Sequence, residues 1–90
     1  MVERRDKVKI IYDILKSVQE KNGKIKPTHL LYKSNLSYKR MQELVQDLIA
    51  KNMLAEEQHS GSKMYVLTEK GHKFVNEYYK MMEFVKGFGF

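Results

Sequence analysis

The sequence contains no cysteine and no tryptophan, and it has a single proline among its 90 residues. Without cysteine there is no disulfide, no thiolate nucleophile and no cysteine–zinc site. Long hydrophobic runs are missing as well, because charged residues interrupt every apolar stretch after a few positions. We therefore expect neither a membrane-spanning helix nor the apolar segment of a signal peptide.

Signals for catalysis are also weak. His29, His59 and His72 are far apart, and none has a second ligand three or four residues away, so no metal site is expected. Glu56 and Glu57 are adjacent in a stretch that reads as a strand, where they would point to opposite faces and could not act as an acid/base pair. We expect no enzymatic activity and no cofactor.

Charge is the most informative part of the composition. Lysine and arginine number 17 against 11 aspartate and glutamate, a net charge of +6. The excess is confined to residues 1–40, which hold eleven basic and four acidic residues, whereas residues 41–90 hold six and seven. A basic half favours a polyanionic partner, because neutralising phosphates releases counterions. A lysine-rich surface that is merely solvated is the alternative, and charge alone does not separate the two.

Apolar periodicity predicts three helices in the first half of the chain. Over 4–21, the positions of Val8, Ile11, Leu15 and Val18 form a helical stripe, with Ile10 and Ile14 beside it. Pro27 suits the first turn of a short second helix, in which Leu30 and Leu31 point inward. Ser37 is placed to cap a third helix over 37–51, which buries the following residues: Met41, Leu44, Val45, Leu48 and Ile49. A tiny strand at 24–26 is possible.

After Asn52 the period changes from that of a helix to that of a strand. Two short apolar runs flank "QHSGS", which predicts a hairpin with Gly61 at its tip. Thr68 can then cap a last helix from Glu69 to about Lys86. Helix, helix, turn, helix, hairpin and helix is the order of a winged helix. We therefore predict a mainly α (α+β) fold in one domain over 1–90, with a helix-turn-helix core and wing (1–67) and a C-terminal dimerisation helix and tail (68–90).

The last helix has more apolar surface than so small a core can cover. Its apolar positions are spaced 4, 3 and 4 residues apart, as in a helix that packs on another helix. We predict a homodimer interface formed by Phe74, Tyr78, Met81, Met82 and Val85. Phe84, Phe88 and Phe90 could close such a contact.

Two motifs resemble the small archaeal winged-helix DNA-binding proteins. The first is a Tyr-x-x-Asn-Leu-Ser-Tyr turn, from Tyr32 to Tyr38, and the second is Leu-Thr-x-x-Gly, from Leu67 to Gly71. The resemblance covers roughly residues 5–80. It implies a winged helix that binds double-stranded DNA as a homodimer through an antiparallel coiled coil of C-terminal helices. This chain departs from that pattern because only about four helical turns follow Gly71.

The exposed face of the third helix is the candidate DNA-binding surface, since residues near the start of such a helix reach base edges. The candidate DNA-binding residues on and around this helix are Ser37, Tyr38, Lys39, Arg40, Gln42 and Gln46. On the wing they are Ser60, Ser62 and Lys63. At the start of the chain, Arg4, Arg5, Lys7 and Lys9 could follow phosphates or simply form a solvated helix end. Glu43 argues against DNA contact unless Lys39 or Arg40 pairs with it.

We expect double-stranded DNA and a second copy of the chain as partners, with no membrane and no small-molecule ligand. Such a protein would be cytoplasmic and nucleoid-associated. One alternative is a winged helix that docks on a protein in a larger assembly. Another is a sensor with an apolar ligand beneath Phe74, Tyr78 and Met82, which would require a cavity there.

Overall fold

The computed structural model describes residues 6–90 as four helices and a three-stranded sheet. The helices are α1 (Lys7–Glu20), α2 (Pro27–Ser34), α3 (Tyr38–Ala50) and α4 (Glu69–Lys86). The strands are β1 (Lys24–Ile25), β2 (Leu54–His59) and β3 (Ser62–Leu67), in the antiparallel order β1-β3-β2. The predicted order of elements is confirmed, including the tiny strand.

Short polar side chains start three of the helices. Asp6 caps α1 by accepting a hydrogen bond from the backbone N–H of Lys9 at 2.8 Å. Ser37 caps α3 in the same way, through the N–H of Arg40 at 3.2 Å, and Thr68 caps α4. Each bond satisfies a donor that the first turn of a helix leaves without an intrahelical partner. The two caps that the sequence predicted are therefore present.

The core forms between α1, α2, α3 and the inner face of the sheet. Most residues of the predicted stripes are buried, but α1 differs in two places. Val8 is 48% exposed, and Tyr12, which was not predicted as a core residue, is only 7% exposed. The reason is that α4 packs along α1 and its Tyr78 ring stacks on the Tyr12 ring, with centroids 4.5 Å apart. The buried face of α1 is therefore set partly by a helix more than fifty positions away in the chain.

A two-residue turn closes the β2–β3 hairpin. Ser60 and Gly61 both have positive φ, at 51° and 80°, as a type I′ turn requires. The resulting register pairs Leu54 with Leu67 and His59 with Ser62. It places Tyr65 on the inner face of the sheet, where its side chain is fully buried.

The start of α4 is bonded to the end of α3. The Thr68 hydroxyl donates to the carbonyl oxygen of Asn52 at 2.6 Å, and the Thr68 N–H donates to the carbonyl of Met53 at 3.3 Å. The Lys70 ammonium donates to the carbonyl of Lys51 at 2.8 Å. The last carbonyls of α3 accept from the N–H groups of residues 51–53, and the bonds from Thr68 and Lys70 then join this segment to the first turn of α4. We call this arrangement the α3–α4 junction.

Gly71 allows the α3–α4 junction to close. A Cβ atom at this position would contact the carbonyl oxygen of Met53 and would lie 2.6 Å from the Leu67 Cδ1 atom. The glycine N–H also donates to the Thr68 hydroxyl at 3.0 Å. The Leu-Thr-x-x-Gly motif is thus a structural unit in which threonine supplies the hydrogen bonds and glycine supplies the space.

We predict that Gly71→Ala lowers the free energy of unfolding by about 1–3 kcal/mol, because the added methyl group overpacks the junction. The loss should occur even though alanine favours a helix over glycine by roughly 1 kcal/mol. Urea unfolding followed by circular dichroism measures it. Asn76→Ala is the matched control, since Asn76 is exposed on the same helix. A Gly71→Ala protein as stable as the wild type would show that the junction yields to the methyl group.

Candidate nucleic-acid interface

The turn before α3 is held by its own side chains. Ser34 is buried, and its hydroxyl donates to the carbonyl of Leu31 at 3.2 Å while it accepts from the N–H of Leu36 at 3.3 Å. Asn35 ends α2 in the left-handed conformation, with φ of 56°. Leu36 is partly buried and packs on the core. The turn therefore fixes where α3 starts and which way it faces.

Helix α3 has one buried face and one open face. Met41, Leu44, Val45 and Leu48 point into the core. On the other side, Lys39, Glu43, Gln46 and Ala50 form an exposed row with the 4-3-4 spacing of a helix surface. We call this row the α3 row.

The predicted residues at the start of α3 are exposed. Tyr38, Lys39 and Arg40 follow the Ser37 cap directly, and all three side chains face solvent. Arg40 Nη1 lies 3.8 Å from Glu43 Oε1, the pairing that the sequence required for this surface to accept DNA. Gln46 is exposed one turn further along.

Gln42 is placed differently from the other predicted residues of α3. Its side chain is half-buried, and its Nε2 donates to the Tyr65 hydroxyl at 3.2 Å. This bond joins α3 to the sheet, so one role of Gln42 is to hold the hairpin beside the helix. The sequence did not reveal this contact, because it links positions 23 apart through a strand register.

The hairpin tip carries the other predicted residues. Ser60, Ser62 and Lys63 are all exposed. Lys63 Nζ lies 3.8 Å from Glu56 Oε1, and Glu57 lies near His59 at 2.8 Å. Nearby carboxylates therefore offset the positive charge of the hairpin.

The chain matches the winged helix-turn-helix family over residues 4–86. It belongs to that family. No curated protein matches the sequence. Helix α3 thus occupies the position of the recognition helix in this family, and the β2–β3 hairpin is the wing.

Solved structures agree with this assignment. Sso10a-2, a DNA-binding protein from Sulfolobus solfataricus, has 21% identity and a TM-score of 0.78 over 93% of this chain and 85% of its own. F93 from STIV, a winged-helix DNA-binding protein, has 26% identity and a TM-score of 0.73 over 80% of this chain and 85% of its own. The MarR family transcriptional regulator Sco5413 from Streptomyces coelicolor has 16% identity and a TM-score of 0.75, over 88% of this chain and 57% of its own. The resemblance to small archaeal winged-helix proteins is confirmed.

The structure describes only part of the basic cluster at the start of the chain, which consists of Arg4, Arg5, Lys7 and Lys9. Arg4 and Arg5 lie outside the described residues. Lys7 Nζ is 3.8 Å from a carboxylate oxygen of Asp47 on α3. Asp47 also accepts from Lys51 at 2.6 Å, and that hydrogen bond lowers the pKa of its carboxyl group. Lys7 therefore contributes to the contact between α1 and α3.

Two of the predicted dimer residues pack within the protomer. The Phe74 and Tyr78 rings lie 6.2 Å apart, and Tyr78 stacks on Tyr12 of α1. Lys9 lies over the Tyr12 ring, 5.2 Å from its centroid, and a hydrogen bond to Asp13 raises the Lys9 pKa. The sensor hypothesis placed an apolar ligand beneath Phe74, Tyr78 and Met82. In the structure the Tyr78 ring instead packs against the rings of Tyr12 and Phe74.

The remaining predicted dimer residues lie toward the end of α4. Met82 and Val85 are half-buried and Met81 is exposed. Beyond them Phe84 is 69% exposed, and its ring meets the Phe88 ring edge-on at 5.2 Å. The homodimer stays a prediction.

Tyr32 is an exposed residue to which the sequence assigned no role. It is 89% exposed on α2, two residues before the buried Ser34. Its position opposite Leu30 in the helical period accounts for the exposure, and a single exposed aromatic side chain of this kind is ordinary on a protein surface.

Residues 6–90 lack both a membrane-spanning helix and a cluster of metal ligands. No helix in this part of the chain is both long and apolar enough to cross a membrane. Within the same range, no group of three or more histidine, aspartate or glutamate side chains could hold a metal ion.

We predict that Tyr65→Phe lowers the free energy of unfolding by about 0.5–1.5 kcal/mol, because it removes the hydrogen bond from Gln42. Combining it with Gln42→Ala in a double-mutant cycle should give a coupling energy of similar size. Urea unfolding measures each variant. Additive effects would mean that the bond contributes nothing to holding the wing against α3.

Proposed function

We propose that this protein binds double-stranded DNA as a homodimer, with α3 in the major groove. It would serve as a transcriptional regulator or a chromatin-associated protein, sequence-specific or architectural, in the cytoplasm at the nucleoid. The supporting observation is the α3 row, an exposed helix face. It begins at Lys39, directly after the turn at 34–37, at the end of the basic half of the chain.

The dimensions of DNA fit this surface. The major groove of B-form DNA is about 12 Å wide and admits an α-helix. Lys39 and Arg40 lie in the first turn of α3, where they could contact phosphates or guanine. The wing is held next to α3 by the bond between Gln42 and Tyr65, so Ser60, Ser62 and Lys63 could lie along the neighbouring backbone.

Similar proteins support the same proposal. Sso10a-2 and F93 are both described as DNA-binding, and both share this fold over most of their length. Fold alone does not establish function, so the proposal depends on the α3 row and is tested there.

The proposed homodimer uses the end of the molecule where α1 begins and α4 finishes. Gln19 lies 3.2 Å from His72 and Tyr12 stacks on Tyr78, so the two helices run in opposite directions. The half-exposed Val8 therefore lies toward the end of α4, where Phe84 is also exposed. Exposed apolar side chains gathered at one end of a molecule are typical of interaction sites, which is why we place the dimer contact there.

We predict that binding to a mixed-sequence duplex weakens steeply with salt, with a log–log slope of about −0.9 per neutralised phosphate. Lys39→Ala should lower the affinity and make the slope shallower by about 1, because one cation is lost. Fluorescence anisotropy at several salt concentrations measures both. Lys73→Ala, which removes an exposed cation from α4, is the control and should change neither.

Absent or salt-independent binding would contradict the proposal. A protein partner recovered in stoichiometric amounts, together with no DNA shift at moderate salt, would instead favour the protein-docking alternative. Equal effects of Lys39→Ala and Lys73→Ala would place the DNA surface elsewhere.

We predict that Phe84→Glu converts the dimer to a monomer at micromolar concentration, because it buries a charge in the apolar contact. Sedimentation equilibrium measures the change. Tyr32→Glu is the control, since it places the same charge at another exposed aromatic position. Tyr78 is a poorer probe, because its ring already stacks within the protomer. A wild-type protein that stays monomeric at this concentration would refute the homodimer.

A further inference from the structure

A carboxylate lies at the centre of the α3 row. Glu43 stands between Lys39, one turn before it, and Gln46, one turn after it, and its side chain is 55% exposed. Ala50 ends the row with only a methyl group. The face that we propose to enter the major groove is therefore not uniformly basic.

A carboxylate in this position is unfavourable for general attraction to DNA, since it repels phosphates. The major groove offers it few partners. Guanine presents only acceptors there, and thymine presents an acceptor and a methyl group. The exocyclic amino groups of cytosine and adenine are the donors, and an adjacent acceptor on adenine disfavours a carboxylate. Cytosine is the base that best fits a carboxylate.

Arg40 lies beside Glu43. Its Nη1 atom is 3.8 Å from Glu43 Oε1, one helical turn earlier on the same side of α3. The guanidinium offsets part of the carboxylate charge, which reduces its repulsion of nearby phosphates. Glu43 can therefore face DNA at a smaller electrostatic cost than an isolated carboxylate.

We propose that Glu43 is a specificity-determining residue that accepts a hydrogen bond from the N4 amino group of a cytosine in the major groove. This inference rests on the proposed binding of duplex DNA through α3. It assigns to Glu43 a preference for one base at one position of the site, at some cost in affinity for other sequences.

Selection from a duplex library with a randomised central segment tests the inference. The wild type should enrich cytosine at one position, by roughly 5- to 100-fold in relative affinity. Glu43→Ala should lose that preference and bind mixed-sequence DNA at least as tightly, because a repelling charge is gone. Glu43→Gln should shift the preference toward adenine, since a glutamine amide pairs with both the acceptor and the donor of that base.

Glu77→Gln is the matched control. Glu77 is exposed on α4, and its carboxylate lies 3.9 Å from Lys80 in a pair of the same i, i+3 type. This variant removes the same charge from a helix outside the α3 row, so it should keep the cytosine preference. Circular dichroism should show all three variants folded, because both carboxylates are exposed.

The outcomes separate the two proposals. Duplex binding without a cytosine preference, or a preference that survives Glu43→Ala, overturns the role of Glu43 and leaves DNA binding intact. Folded wild-type protein that binds no duplex at all overturns both.

Discussion

The bonds between the end of α3 and the start of α4 are the contact on which the rest of the structure depends. The carbonyl groups of residues 51–53, just after α3, accept hydrogen bonds from Thr68 and Lys70. Gly71 lets the two segments approach until a side chain would no longer fit. One short motif thus begins the last helix and joins it to the end of α3.

The orientation of α4 relative to α3 connects the two proposed functions of the chain, which are dimerisation and DNA binding. Helix α4 carries the apolar end that we assign to dimerisation, and α3 carries the row that we assign to DNA. Because the α3–α4 junction bonds α4 to the end of α3, the dimer contact would set the distance between the two recognition helices. In helix-turn-helix dimers this distance must match one turn of DNA, about 34 Å, or a multiple of it. The site itself is built as a mixed surface, with Lys39, Glu43 and Gln46 in sequence, rather than as a basic patch.

Local signals predicted most of the fold. Serine and threonine at helix starts, Asn35 at a helix end and Gly61 in a tight turn act through their own backbone or that of their neighbours, so the sequence is enough to place them. The sequence was less successful where two helices share a face. The apolar stripe of α1 did not distinguish Val8 from Tyr12, because the difference arises from the Tyr78 ring of α4.

The sequence by itself determined the order of elements, the caps and turns between them, and which face of α3 is polar. Each of these follows from periodicity or from bonds that span only a few residues. Only the tertiary structure decided that Gln42 bonds to Tyr65, that Tyr78 packs on Tyr12 of α1, and that Gly71 lies against Met53. These contacts join residues that the chain separates widely, and their geometry exists only after the helices and the sheet have packed together.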